Sequence, residues 1–213
     1  AKRTMQIAQK LYEEGLITYH RTDSVNLAEK FITEARSYIK VTYGETYVAS
    51  EARRYKTKSK VAQEAHEAIR PTDANLTNLT NESNLDFNHD HVRLYDLIWK
   101  RALASQAHEA VFDSTTIDIT SVNGYLFETQ GSVIKFDGYL KIIGKEKDDE
   151  LLPKVTVGDK LNLKEALPAQ HFTSPPPRYT EASLIKTLEE KGIGRPSTYA
   201  PTLSTIVDRQ YVT

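Results

Sequence analysis

Cysteine is absent from the 213 residues, so neither a disulfide framework nor a thiolate metal site can be built from them. Charge of one sign is not in surplus either. Lys+Arg of 28 against Asp+Glu of 29 leaves a formal net charge of -1, and affinity for a polyanion would have to come from local clustering. No apolar run approaches bilayer-crossing length. The N-terminal AKRTMQIAQKLYEEG spaces its apolar residues helically and lacks the continuous core of a signal peptide. These absences point to an intracellular, soluble chain of one large domain or two smaller ones. The sequence opens in mid-helix without a start methionine, which suggests a piece of a longer protein.

What is present is strongly patterned. Met5, Ala8, Leu11, Tyr12 and Leu16 form one helical face, and Gly15 stands where a C-terminal cap is expected. Asp23, Ser24 and Asn26 are candidate caps for a second helix, Asn26 and Glu29 having capping-box spacing, with Leu27, Phe31, Ala35, Tyr38 and Ile39 as its buried stripe. A third helix is expected over residues 91–107, capped by Asp90 and carrying Leu94, Ile98, Arg101 and Ala102 along one side. The period then changes from helical to two. TTIDIT, YLFETQ, GSVIKF, YLKII and KVTVGDKLNL, separated by Asn-Gly, Asp-Gly and Gly-Asp signals, read as antiparallel sheet over residues 111–165. SPPP at 174–177 is a stiff connector. After it, Thr180 caps a helix bearing Leu184, Ile185 and Leu188, Gly192 ends that helix, and GRPSTYAP opens another in which Pro201 is expected within the first turn. The expected fold class is α+β and multi-domain: a helical, tyrosine-bearing part over 1–107, a partial antiparallel β part over 108–172 and a partial helical part over 173–213.

Three stretches offer chemistry. In GLITYHRTDS, Tyr19 and Arg21 point to the same side of an extended segment between helices. A tyrosine nucleophile must lose its phenolic proton beside a cation that also neutralises the electrophile, and a guanidinium fork matches phosphate oxygens. Ordinary packing of an exposed tyrosine explains the spacing as well. In RRYKTKSKVAQEAHEAIRPTD, Arg53, Arg54, Lys56, Lys58 and Lys60 stand against Glu51 alone within residues 51–60, making either a phosphate track or a solvated charged loop. His66 follows in AHEAIRP, where an imidazole could assist phosphoryl chemistry or simply pack. In EKGIGRPSTYA, Arg195, Ser197 and Thr198 at a helix start offer a guanidinium, hydroxyls and backbone N–H groups to an anion, and a plain helix cap accounts for the hydroxyls equally.

In this order and at these separations, GLITYHRTDS, QEAHEAIRP and LEEKGIGRPSTYAPTLSTIVDRQYV resemble the type IA DNA topoisomerases over essentially the whole chain. The resemblance implies an ATP-independent isomerase that relaxes negative supercoils. A tyrosine, here Tyr19, attacks one strand to give a transient 5′-phosphotyrosine while the other strand passes through the gap. It assigns Arg21 to the scissile phosphate, His66 to phosphate binding and proton handling, and Arg195, Ser197 and Thr198 to a turn that binds the DNA backbone. It also counts Gln9 and Glu13, on the helix leading into the site, among the DNA-binding residues. It further implies an arch-forming β domain, of which this chain would hold half, and a Toprim domain whose Asp-x-Asp-x-Glu carboxylates hold Mg²⁺. That spacing is not found in this sequence, and the acidic run Asp148, Asp149, Glu150 reads as a solvated hairpin tip. No metal is therefore expected to be bound by these residues, and Mg²⁺ is expected on ligands outside them. The implied partners are single-stranded and negatively supercoiled DNA together with Toprim and zinc-ribbon regions of the same protein. No membrane association is implied, and the expected location is cytoplasmic, at the nucleoid. Histidine at position 20 departs from the methionine common in the family, and alternation should turn it away from Tyr19. A competing reading is a helical module that binds single-stranded DNA without chemistry of its own. A tyrosine recombinase would need its arginines and histidine ahead of a tyrosine near the C-terminus, the reverse of this order.

Overall fold

The computed structural model describes residues 1–55, 66–79, 87–144 and 150–212. They are mixed α+β and divide into two compact units, one of Ala1–Ala110, Asp137–Glu146 and Tyr179–Thr213, the other of Val111–Phe136 and Lys147–Arg178. Among the described residues no helix is long and apolar enough to cross a membrane.

In the first unit α1 spans Lys2–Glu13. It closes on Gly15, whose φ of +70° lets the Gly15 N–H reach the Tyr12 carbonyl at 2.9 Å and the Leu16 N–H reach that of Leu11 at 3.0 Å. α2, Glu29–Tyr43, follows an N-cap at Ala28 with no cap from its own segment. The expected caps are otherwise engaged: Ser24 Oγ accepts from Asn26 N–H at 3.2 Å, and Thr22 Oγ1 accepts from Ser24 N–H at 3.0 Å. Glu67, distant in sequence, takes their place by accepting from the Ala28 N–H at 2.7 Å.

α3 spans His89–Ala104 and is capped by Asn88, not Asp90, the Asn88 side chain accepting from Asp90 and His91 N–H groups. Its buried face is His91, Tyr95, Trp99, Ala102 and Leu103, with Leu94 and Ile98 only flanking it, so the stripe lies one position from the expected line. Polar handles fix that phase. The Trp99 indole N–H donates to Ala74 O at 2.9 Å and the Tyr95 hydroxyl to Leu76 O at 2.7 Å. Leu11, Ile17, Phe31, Ile39, Tyr95 and Leu103 form the most buried part of the core, each large side chain contributing about 1.5–3 kcal/mol on burial.

YLKII, expected as a strand, is the short helix α4, Tyr139–Ile143. Five apolar residues cannot declare their own period. The preceding turn decides the matter: Tyr47 Oη donates to Asp137 Oδ1 at 2.7 Å, and a Cβ on Gly138 would lie 2.4 Å from the Glu109 carbonyl oxygen. α5, Glu181–Glu190, has the expected start, with Thr180 and Ser183 exchanging a reciprocal capping box. α6, Pro196–Asp208, holds Pro201 beyond its first turn, where its missing N–H leaves the Ser197 carbonyl without a helical donor.

The second unit contains one antiparallel pair, β1 Val111–Thr120 and β2 Leu126–Phe136, turning through Gly124 at φ +82°. YLFETQ and GSVIKF are therefore one strand. KVTVGDKLNL forms no strand among the described residues. Asp159 instead folds its carboxylate onto the Thr156 N–H (2.8 Å) and hydroxyl (2.7 Å), and beyond the hairpin Ser132 forms an antiparallel bridge with Glu150.

Candidate active site

The loop after α1 is held by a segment fifty residues downstream. Thr18 N–H donates to Arg70 O at 2.9 Å, Thr72 N–H to Leu16 O at 3.0 Å, and Ile17 opposes Pro71 in an antiparallel bridge. Thr18 Oγ1 accepts from Arg70 N–H at 2.9 Å and donates to Ala68 O at 2.7 Å. The first and second chemistry-bearing stretches are thus paired through their backbones. Glu67 and Arg70 brace this pairing: Arg70 forks onto the Glu67 carboxylate at 2.6 and 3.0 Å and lies over the Phe31 ring at 4.8 Å. Neither residue was singled out in the sequence, although their i, i+3 spacing was a signal. Thr18→Val keeps the shape but leaves the Arg70 N–H and Ala68 O without this partner. Loss of about 1–3 kcal/mol is expected in denaturant unfolding, with unchanged slope.

The brace presents Tyr19 at 43% exposure. Its ring meets Tyr12 edge-on at 5.3 Å, His20 at 5.4 Å and His66 at 6.3 Å, and its hydroxyl makes no hydrogen bond among the described residues. Three other tyrosines hold their protons more tightly than a free phenol. Burial pushes the Tyr43 and Tyr199 phenols up, and the hydrogen bond to Asp137 does so for Tyr47.

Arg21 has no carboxylate partner among the described residues. Its Nη2 donates to Gln9 Oε1 at 3.3 Å, and Gln9 Nε2 donates to Glu13 Oε1 at 2.9 Å. Arg21 and Gln9 line a cleft of about 320 Å³ together with Lys2, Ser197, Pro201 and Ser204, so the structure joins Gln9, Arg21 and Ser197. Arg195 and Thr198 do not line it. Thr198 Oγ1 accepts from the Arg195 N–H at 2.9 Å, and Arg195 Nη1 donates to Gly194 O at 2.7 Å.

Two expectations change. His20 does not turn away from Tyr19 but is buried against it, with Arg21 Nε donating to its Nε2 at 3.3 Å. Burial foremost, then Arg21, holds its pKa below the ordinary histidine value against the opposing pull of Glu13. The basic run is also less free than its composition implied. Arg53 pairs with Glu109 at 3.1 Å and Arg54 with Glu29, while Lys56, Lys58 and Lys60 lie outside the described residues. Among the described residues no group of three or more His, Cys, Asp or Glu comes together to hold a metal ion. The family resemblance implies Mg²⁺ on carboxylates outside these residues.

A family model described as DNA topoisomerase matches residues 1–213. The chain belongs to the type IA DNA topoisomerases. Among its topoisomerase relatives, DNA topoisomerase 1 of Rickettsia bellii is 49% identical over 228 residues, covering 100% of this chain and 28% of that protein. DNA topoisomerase 1 of Haemophilus influenzae is 50% identical over 214 residues, covering 99% of the chain and 24% of that protein. The structure of full-length topoisomerase I from Thermotoga maritima superposes with a TM-score of 0.76 at 35% identity, over 98% of this chain and 34% of that one. This topoisomerase chain therefore spans between 24% and 34% of the length of these three relatives.

Proposed function

We propose that these residues carry the strand-cleaving nucleophile of a longer type IA topoisomerase that relaxes negatively supercoiled DNA. Tyr19 Oη forms a bond to phosphorus, the bond from phosphorus to the 3′ oxygen breaks, and that oxygen leaves with a proton as a 3′ hydroxyl. Reversal of the same exchange reseals the strand. Arg21 neutralises charge on the phosphoryl oxygens, and His66, beside the Tyr19 ring, binds phosphate or moves the phenolic proton. Gln9 and Glu13 orient Arg21, while Ser197, Thr198 and Arg195 contact the backbone of the bound strand. The observation that carries this reading is an exposed tyrosine whose hydroxyl makes no hydrogen bond among the described residues, fixed by a paired backbone next to an arginine that has no carboxylate partner among them.

Mg²⁺ bound by Toprim carboxylates, cytoplasmic location at the nucleoid, and a division into parts at 1–107, 108–172 and 173–213 complete the proposal. The test is to trap the full-length protein on a labelled single-stranded oligonucleotide, denature it and map the nucleotide-bearing peptide. An adduct on a residue other than Tyr19 would refute the assignment.

For the 213 residues alone, weak single-strand binding is expected. Its affinity should fall with salt at a log–log slope of about -0.7 per phosphate contacted. Without a Toprim surface opposite Tyr19 no nicking is expected, with or without Mg²⁺, and adding a separately expressed Toprim-bearing piece should restore some. Protein-linked nicked plasmid from the short chain alone would contradict this. Binding without cleavage even after Toprim is supplied would favour a module without chemistry of its own.

A further inference from the structure

The proposed roles of Tyr19 and Arg21 leave the residue between them unused, and this inference rests on those roles. The His20 ring is buried, with Tyr12 at 5.9 Å and Tyr19 at 5.4 Å. Arginine only donates, so the 3.3 Å contact from Arg21 Nε requires His20 Nε2 to accept and puts the single ring proton on Nδ1. Nδ1 is itself buried and has no partner among the described residues. A buried imidazole with one nitrogen unsatisfied is poor packing, and the bond to Arg21 is the one polar contact it makes among those residues.

We propose that His20 is a positioning residue for Arg21: its neutral imidazole accepts from Nε while Gln9 accepts from Nη2, and the two together aim the guanidinium into the cleft. A proton added at Nε2 would set donor against donor and release that aim. Among the described residues the titratable or charged groups facing the ring are Tyr12 and Glu13 from α1, and Tyr19 and Arg21 from its own loop. Glu13 alone favours the imidazolium, whereas burial and Arg21 disfavour it and prevail. The native state therefore takes up this proton at a lower pH than an ordinary histidine does. Between the ordinary value and the depressed one, the unfolded chain binds a proton that the native chain refuses. Both stability and the aim of Arg21 are thus retained at neutral pH and lost as pH falls.

The experiment measures single-turnover formation of the Tyr19 adduct from pH 5 to 8.5 in the full-length enzyme and in its His20→Gln and His20→Leu variants, with the adduct mapped each time. Wild type should lose rate along an acid limb whose midpoint lies below the ordinary histidine value. His20→Leu, with no acceptor, should be slower at pH 8 by roughly three- to tenfold at unchanged oligonucleotide affinity and should lack that limb. His20→Gln supplies an acceptor that does not titrate, so it should recover most of the pH 8 loss and also lack the limb. An acid limb unchanged in His20→Gln overturns the proposal, as does a Leu variant that matches wild type at every pH. Should the Leu variant fail to fold, the Gln profile decides alone. Absence of any adduct on Tyr19 in wild type removes the functional reading and this inference with it, whereas a Tyr19 adduct with an unaltered limb overturns this inference only.

Discussion

Tyr19→Phe in the full-length enzyme is expected to abolish covalent capture of DNA while leaving the fold and most single-strand binding intact. The hydroxyl makes no hydrogen bond among the described residues, so its removal breaks none of those found. The phenyl ring can keep its edge contacts with Tyr12, His20 and His66, and the change in unfolding free energy should stay within about 0.5 kcal/mol. Loss of a covalent nucleophile elsewhere costs on the order of 10⁶ in rate, a fall that takes plasmid relaxation below detection. The two measurements, denaturation-resistant adduct on labelled oligonucleotide and affinity for the same oligonucleotide, should therefore separate completely. An adduct persisting in the Phe variant would show that another residue attacks.

Arg21→Lys has the second-largest expected effect. The substitution keeps the charge but loses the planar fork, and with it the simultaneous bonds from Nη2 to Gln9 and from Nε to His20. A donor that stabilises charge developing on a phosphoryl group typically supplies a factor on the order of 10²–10³. Cleavage by the Lys variant should slow by about that much. Oligonucleotide affinity, governed mainly by charge, should change little. A cleavage rate equal to wild type would rule out a role for the fork geometry, and a loss confined to affinity would make Arg21 a binding contact alone.

The helices announced themselves through periodicity and caps, Gly15, Thr180 and Gly192 among them, because those signals are local. Elsewhere a distant group settles what looks like a local choice. Asn26 had the spacing of a cap, yet Glu67 supplies the acceptor at Ala28. YLKII had β-type composition, yet the turn at Gly138 sends it into a helix. In the site, motif order singled out Tyr19, Arg21 and His66, and the side chains of Tyr19 and His66 do meet. The inward turn of His20 was not legible, since alternation along a strand fails in a loop whose direction is set by pairing with residues 68–72. Nor could composition reveal that Arg53 and Arg54 spend their charge on Glu109 and Glu29.

That pairing also gives the site a history. Thr18 and Arg70 stand 52 positions apart, so a chain leaving the ribosome has its tyrosine exposed long before the segment that orients it has been made. Closing a loop of that length costs entropy, which the packing of α2 and α3 on the shared core helps to offset. Tyr19 should therefore gain its orientation late, after the helices have docked. Native-state amide exchange at Thr18 and Thr72 should follow the opening of the whole first unit and not the fraying of one loop. Such timing would keep a reactive phenol unaimed until the scaffold that restrains it is in place.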